Sequence, residues 1–326
     1  MDDTRQHAAG AVRLGTWPTP VEAAPRLAAA LGLDPDDLVL KRDDLSGLAG
    51  GGNKVRKLEH TIGAAVADGA TAVVTSGAPQ SNHARLTAAA AARLGLDAVL
   101  VLEGGPPRET RGNLLLDGLL GARIVWAGEA GPQELAARVE EEAAALRAAG
   151  TATAVVPFGG SSVLGARGYA EAGAELLQQV PDLATVVVAV GSGGTMAGLV
   201  HALGASRVLG VDTGAVPDPV DRVTEFAAGL AREDGTPAPG ELRLRRDQVG
   251  EGYGSLTPAV RDALALLART EGVVLDPVYT GRAAAGLVAA VAEGDVRRGQ
   301  RTVLLHSGGL PGLFGHPDAA SLAGPR

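Results

Sequence analysis

The sequence predicts an α/β protein of two doubly wound, mainly parallel sheets. Three observations predict it. Short β-rich runs alternate with alanine-rich helical stretches along all 326 residues. Most of those runs are continuously apolar rather than alternating, as expected of parallel strands covered on both faces. Set against roughly 150 residues per domain, the length suits about two domains, and 46% apolar residues supply ample core.

In chain order, strands are expected at 38–41, 72–76, 98–102, 123–126, 154–157, 185–190, 208–211 and 302–306. Between them, helical stretches are expected at 54–67, 82–94, 111–120, 132–149, 164–179, 195–203, 258–270 and 281–292. Strands alternating with helices of this length make βαβ units. The strands fall into two groups, one before and one after about residue 160, which fits two sheets. The Pro/Gly-rich stretch 234–240 reads as an exposed loop.

Composition excludes several classes. With no cysteine there is no disulfide framework, thiolate nucleophile, iron–sulfur cluster or thiolate zinc site. No apolar run approaches the roughly 18–20 residues of a membrane span. The start, Met1-Asp2-Asp3-Thr4, lacks the basic-then-apolar order of a signal peptide, so a cytoplasmic protein is expected. A net charge of −8, dispersed along the chain, gives no footprint for nucleic acid or an anionic membrane. Of the 29 basic residues only Lys41, Lys54 and Lys57 are lysines. A function needing an amine therefore has three candidates.

The sharpest local signal is the strand ending at Val190, followed by Gly191-Ser192-Gly193-Gly194-Thr195 and a helical stretch. Glycines let backbone N–H groups close on a phosphate, and the helix dipole favours its charge. A P-loop would need Gly-Lys-Ser/Thr, which is absent. The dinucleotide fingerprint fits Gly191 and Gly193 but meets Met196 at its third position, while Asp212 keeps that option open as a ribose ligand. A compact monophosphate cup, with Thr195 adding a hydroxyl, fits best. A second loop, 76–83, also joins a strand to a helix. Ser81 or Asn82 is a good N-cap, and Gln80, Ser81, Asn82 and His83 together could dock a carboxylate.

Three glycines, 50–52, lead to Asn53, which is expected to cap a helix beginning at Lys54. A helix N-terminus disfavours a cation, so the Lys54 amine is expected to be more often neutral, as a Schiff-base nucleophile or proton-transfer base requires. Lys41 and Lys57 read as ordinary solvated lysines. An amine, a cup for one phosphate and a carboxylate dock are together satisfied by pyridoxal phosphate and an amino-acid substrate.

The sequence resembles the pyridoxal-phosphate enzymes of the tryptophan-synthase-β-like fold (fold type II), and within them the D-cysteine desulfhydrase / 1-aminocyclopropane-1-carboxylate deaminase family. The resemblance rests on Lys41–Asp44, Gly51–Glu59, Gln80–His83, Pro157–Ser162, Gly191–Thr195, Glu251–Gly254, Leu275–Gly281 and His306–Gly309, in family order over nearly the whole chain. It implies that Lys54 holds the cofactor and later moves the substrate α-proton. It also implies that Asn82 bonds the pyridoxal 3′-oxygen, and that residues 191–195 hold the phosphate. Substrate carboxylate would bind Ser81 with the 80–83 segment, and Ser81 stands where the deaminase has its catalytic serine. Tyr253 and Tyr279 would face the substrate side of the ring. The implied fold is a larger domain of 1–56 and 167–326 around a smaller one at 57–166, in a homodimer.

Tyr279 is followed by Thr280, as in the desulfhydrase branch, where the deaminases have an acid; Ser307 stands where that branch usually has Thr. Hydroxyls from Thr280 and Ser307 near the pyridine nitrogen would leave it largely unprotonated and weaken the ring as an electron sink. That suits α,β-elimination with a good leaving group better than cyclopropane opening. The expected reaction converts D-cysteine to pyruvate, sulfide and ammonia, with L-cysteate next. An aminocyclopropane-carboxylate deaminase, a nicotinamide dehydrogenase using the 191–195 loop and a non-catalytic pyridoxal-phosphate-binding protein remain as alternatives. His83 and His306 lie at no metal-ligand spacing with other residues, and both are expected to be structural or to support neighbouring site residues.

Overall fold

The apolar runs become strands buried on both faces, and the helices between them cover those faces. The computed structural model describes residues 10–323. Strand β1 (Val21–Ala23) and helix α1 (Pro25–Ala30) lead into β2 (Leu38–Arg42) and α2 (Lys54–Ala67). Next come β3 (Ala72–Gly77), α3 (Asn82–Leu94), β4 (Asp97–Leu102), α4 (Gly112–Leu119), β5 (Arg123–Trp126), α5 (Pro132–Ala148) and β6 (Thr153–Val155). The chain continues through α6 (Val163–Gln179), β7 (Leu183–Val190), α7 (Gly194–Leu203), β8 (Val208–Asp212), α8 (Pro219–Asp234) and β9 (Arg243–Arg245). It closes with α9 (Pro258–Glu271), α10 (Thr280–Ala292), β10 (Arg301–His306) and α11 (Leu310–Gly315).

Two sheets form, in strand orders β1-β2-β10-β7-β8-β9 and β5-β4-β3-β6. Every pairing is parallel except β1 with β2. In β7, Val187 and Ala189 join one apolar cluster, while Val186, Val188 and Val190 join another on the opposite face. This double coverage is what the unbroken valine run requires. Among the described residues no helix is long and apolar enough to cross a membrane.

Strand β2 corrects the simple grouping at residue 160. It pairs in register with β10, from Leu38 opposite Thr302 to Arg42 opposite His306. Its Leu38 and Leu40 fill the cluster built by the later strands. The four-stranded sheet is thus made wholly between residues 72 and 155.

Lys41 is not solvated, as its run of charges suggested. It is 1% exposed, and its amine donates to Glu175 Oε1 (2.5 Å), Gln179 Oε1 (2.6 Å) and the Thr19 carbonyl (2.8 Å). Arg56, two residues after Lys54, bonds Asp43 and Glu175 in the same buried cluster, with its guanidinium carbon 3.9 Å from the Trp17 ring centroid. Two cations face two carboxylates, so burial leaves no net charge there. The cluster ties β2, α2 and α6 together and fixes where α2 begins.

Candidate functional site

Loops leaving the carboxyl ends of β3, β7 and β10 meet in one cavity, the usual crevice position in open parallel sheets. Residues lining it include Lys54, Lys57, Ser81, Asn82, Ser192 and Ser307.

The segment before Lys54 follows a backbone path few residues can take. Ala49 has φ +41°, and Gly50, Gly51 and Gly52 have φ of +84°, +70° and +131°. A Cβ on Gly51 would lie 1.8 Å from the Asp44 carbonyl oxygen, so the chain passes where only glycine fits. Asn53 N then donates to the Ser307 carbonyl (2.9 Å), seating the start of α2 against β10. Helix α2 begins at Lys54, as expected. Asn53, however, makes no side-chain cap. Its amide donates to Thr195 Oγ1 (3.0 Å), and its Oδ1 accepts from Lys54 Nζ (3.3 Å). Asn53 therefore bridges the amine to the glycine cup.

Burial lowers the Lys54 amine to about 8; nearby Asp276 opposes the shift and Arg85 adds to it. The helix dipole was the expected cause, but loss of water is the main one. Lys57 is a larger correction. It lies one helical turn after Lys54 and is 1% exposed, not solvated. Its amine donates to Ser161 Oγ (2.9 Å) and the Gly159 carbonyl (3.4 Å), neither an acid. Burial, with Lys54 and Arg222 nearby, pushes it well below the usual lysine range.

Gly191–Thr195 forms the expected turn from β7 into α7. Gly193 needs its positive φ of +93°, and a Cβ on Gly191 would come within 3.1 Å of the Tyr279 ring. Ser161 Oγ accepts from Gly194 N (3.2 Å) and shares a 2.7 Å hydrogen bond with Ser192 Oγ, so the cup rests on Ser161 and, through it, on Lys57. The first-turn amides of Thr195 and Met196 have no intrahelical acceptor, and both residues line the cavity. Asp212, the possible ribose ligand, accepts instead from Gly214 N (2.8 Å).

Ser81 caps α3, its Oγ accepting from Ala84 N (3.1 Å), and it lines the cavity beside Asn82 and His83. His83 shares a 2.8 Å hydrogen bond through Nε2 with Thr75 Oγ1, whose own proton goes to the Val156 carbonyl. His83 Nε2 is thus the donor and Nδ1 a bare acceptor, buried without a partner. Burial and the two lysines keep the ring neutral by pushing its pKa well below the usual value. His306 is buried, with Nε2 on the Val274 carbonyl and Nδ1 accepting from Gly308 N, a structural placement.

Gln80 and Thr280 do not line the cavity. Gln80 is committed to the start of α4: Oε1 accepts from Asn113 N (2.9 Å) and Nε2 donates to the Arg111 carbonyl (3.0 Å). The Thr280 hydroxyl donates to Asp276 Oδ1 (2.6 Å) and accepts from Asp276 N (2.9 Å). Of the two hydroxyls expected near the ring nitrogen, the cavity keeps Ser307. Tyr253 and Tyr279 do meet, with hydroxyls 2.7 Å apart and rings edge to face. The Tyr279 ring centroid lies 5.8 Å from Lys54 Nζ; Tyr253 is 41% exposed and lies outside the lining. Burial and the Tyr253 neighbour raise the Tyr279 phenol well above its usual pKa, so it keeps its proton.

Asn53, Lys57 and Ser161 were missed as site residues. The i, i+3 spacing of Lys54 and Lys57 was a usable signal; the roles of Asn53 and Ser161 depend on contacts across more than 30 residues.

Residues 12–308 match the family described as "Pyridoxal-phosphate dependent enzyme". Among solved structures, the chain is similar to one described as an ACC deaminase homologue, with 36% identity, 96% of each chain covered and a TM-score of 0.89. It is also similar to the processed form of threonine deaminase isoform 2 from Solanum lycopersicum (19% identity, 94% of this chain and 83% of that one, TM-score 0.65). A third likeness is to a threonine deaminase from T.th. (24% identity, 89% and 92% covered, TM-score 0.60). At those identities the threonine deaminases speak to the fold alone.

Proposed function

The chain belongs to the pyridoxal-phosphate dependent enzymes, and from that premise we propose that it is a lyase acting by α,β-elimination on a small β-substituted amino acid. The residues present suit the cofactor. A buried Lys57 amine, bonded to a hydroxyl and a carbonyl and not to an acid, sits beside a glycine cup, where a phosphate dianion would favour its protonated form.

When bound, the cofactor supplies a carbonyl that condenses with amines and a ring that draws electrons from Cα. Lys54 would hold it through its ε-amine and would take the proton from substrate Cα, a task suited to an amine lowered to about 8. The 191–195 cup and Lys57 would hold the phosphate. Asn82 would donate to the 3′-oxygen, and Ser81 with the start of α3 would receive the substrate carboxylate. Tyr279 presents a protonated phenol to the reacting side, backed by Tyr253. Loss of the β-substituent and hydrolysis with one water yield pyruvate and ammonia; for D-cysteine the C–S bond breaks and sulfur leaves as sulfide.

One observation carries the reading: the lining contains two lysines and no carboxylate. A lining with two amines and no acid suits a phosphate and a substrate carboxylate. Ser307, a hydroxyl rather than an acid, leaves the ring a weaker electron sink, which favours a substrate with a good leaving group. The same lining, free of acids, favours L-cysteate, whose sulfonate leaves as sulfite, as the second reading. We further propose a cytoplasmic homodimer with a larger domain of 1–56 and 167–326 and a smaller one of 57–166.

Release of 2-oxo acid, assayed in parallel as pyruvate from D-cysteine, L-cysteine, D-serine and L-cysteate and as 2-oxobutyrate from aminocyclopropane carboxylate, tests the reading. D-Cysteine is expected to be the best substrate. Turnover of aminocyclopropane carboxylate alone would overturn it.

A further inference from the structure

Arg85 is 0% exposed, one turn into α3, and among the described residues no carboxylate hydrogen-bonds it, although the charge of buried Asp117 acts on it. Its Nη1 donates to the Ala49 carbonyl (2.9 Å) and the Gly51 carbonyl (3.0 Å). These carbonyls belong to the left-handed segment that delivers Lys54. Its Nη2 donates to Asn82 Oδ1 (3.4 Å) and its Nε to Asn113 Oδ1 (3.1 Å). Asn113, also 0% exposed, donates through Nδ2 to the Gln80 carbonyl (2.8 Å) and to the same Asn82 Oδ1 (3.0 Å). With two donors on its oxygen, the Asn82 amide has one orientation, in which only its N–H₂ group remains to donate to a ligand oxygen.

We propose that Arg85 is the positioning residue of this site, fixing with one guanidinium both the loop that presents Lys54 and the orientation of the Asn82 amide, with Asn113 as its partner. The proposal rests on Lys54 and Asn82 holding the cofactor. A buried guanidinium with backbone carbonyls as its main acceptors needs a reason, because burying a charge without a bonded counter-charge is costly. Here the reason is geometric. A planar fork reaches two carbonyls on one side and two asparagines on the other, whereas a lysine at 85 is a single point donor that cannot span them. Gln80, read as a substrate ligand from its motif, belongs instead to this supporting set.

The test titrates pyridoxal phosphate into the cofactor-free full chain and follows the visible band and its pH midpoint. The proteins compared are the parent, Arg85→Gln, Asn82→Ala and the double variant. Losing charge-assisted hydrogen bonds predicts about tenfold weaker binding for Arg85→Gln. Its pH midpoint should move too, and Arg85→Lys should not restore either property. Because Arg85 acts through Asn82, the double variant should lose less than the product of the two single losses. Independent, multiplicative losses, or an Arg85→Gln protein with the parent's affinity and midpoint, would overturn the proposal. If Arg85→Gln does not fold, Asn113→Ala, which removes the other donor to Asn82 Oδ1, takes its place in the same cycle with the same expectation. A parent without a Lys54-dependent band overturns the cofactor-site reading and this proposal together. A parent with that band and variants unchanged from it sinks the proposal alone.

Discussion

Replacing Lys57 with methionine should move two measurements in opposite directions. Methionine keeps an unbranched side chain, one atom shorter, and loses the charge. In the cofactor-free protein the Lys57 amine is buried against a hydroxyl and a carbonyl, and its pKa lies well below the usual lysine range. At neutral pH the unfolded chain therefore binds this proton more readily than the folded one. That lowers folded stability, and the deficit shrinks as pH rises toward the unfolded lysine value near 10.4. Methionine removes the deficit, so cofactor-free Lys57→Met should melt higher than the parent at neutral pH, with the gap narrowing as pH rises toward the unfolded lysine value. Ser161 Oγ keeps its contacts with Ser192 and Gly194 and is not orphaned. Phosphate binding should move the other way. A charge-assisted hydrogen bond contributes about 1.5–3 kcal/mol, so pyridoxal phosphate should bind roughly 10- to 150-fold more weakly. Melting curves with and without cofactor, and titration of the visible band, give both numbers. A variant that melts lower without cofactor yet binds it as tightly as the parent would show that Lys57 is a structural lysine.

Other substitutions probe the supports of the site. Gly51→Ala places a methyl 1.8 Å from the Asp44 carbonyl at φ +70°; the backbone strain alone costs on the order of 1–3 kcal/mol, so a lower melting temperature and loss of the Lys54-dependent band are expected. Asp117 is 1% exposed with both carboxyl oxygens unpartnered, and burial raises its pKa to about 7 against the pull of Arg85. The folded state therefore holds this proton more tightly than the unfolded one, and stability falls as pH rises from about 4 to about 7. Asp117→Asn should gain on the parent by up to about 4 kcal/mol at pH 8 and far less at pH 4; an equal gap in denaturant melts at both would refute this. Asp43→Asn weakens the acceptor shared by Arg56, Thr19 and Tyr169, and breaking such a buried pair typically costs about 3–5 kcal/mol, read as a lower denaturant midpoint.

The sheets and most helices were legible because a continuous valine run and an alanine-rich helix each declare their own environment. Helices α2 and α3 begin and end where their sequence signals place them. What escaped was short or carried by other elements. Strands β1 and β9 have three residues each and no apolar run, so pairing rather than composition makes them strands. Helix α8 was readable: Val223, Phe226, Ala227 and Leu230 repeat at helical spacing and are buried. In the site, Lys54 and the glycine cup were visible as local patterns. Lys41 and Lys57 were misplaced because charge defaults to the surface, and their acceptors, Glu175 and Ser161, lie 134 and 104 residues away. Gln80 and Thr280 carry the right atoms, but Asn113 and Asp276 occupy them, and no motif reveals a competitor.

All three lysines are now accounted for inside the protein, two at 1% exposure and Lys54 opening on the cavity. The remaining 26 basic residues are arginines. An amine-directed electrophile thus reaches an ε-amine only through this cavity, which Lys54 and Lys57 both line, and a bound cofactor shields them. The extent of lysine labelling becomes a direct count of vacant sites, and a tag or immobilising linkage aimed at lysine would block the cavity instead of decorating the surface.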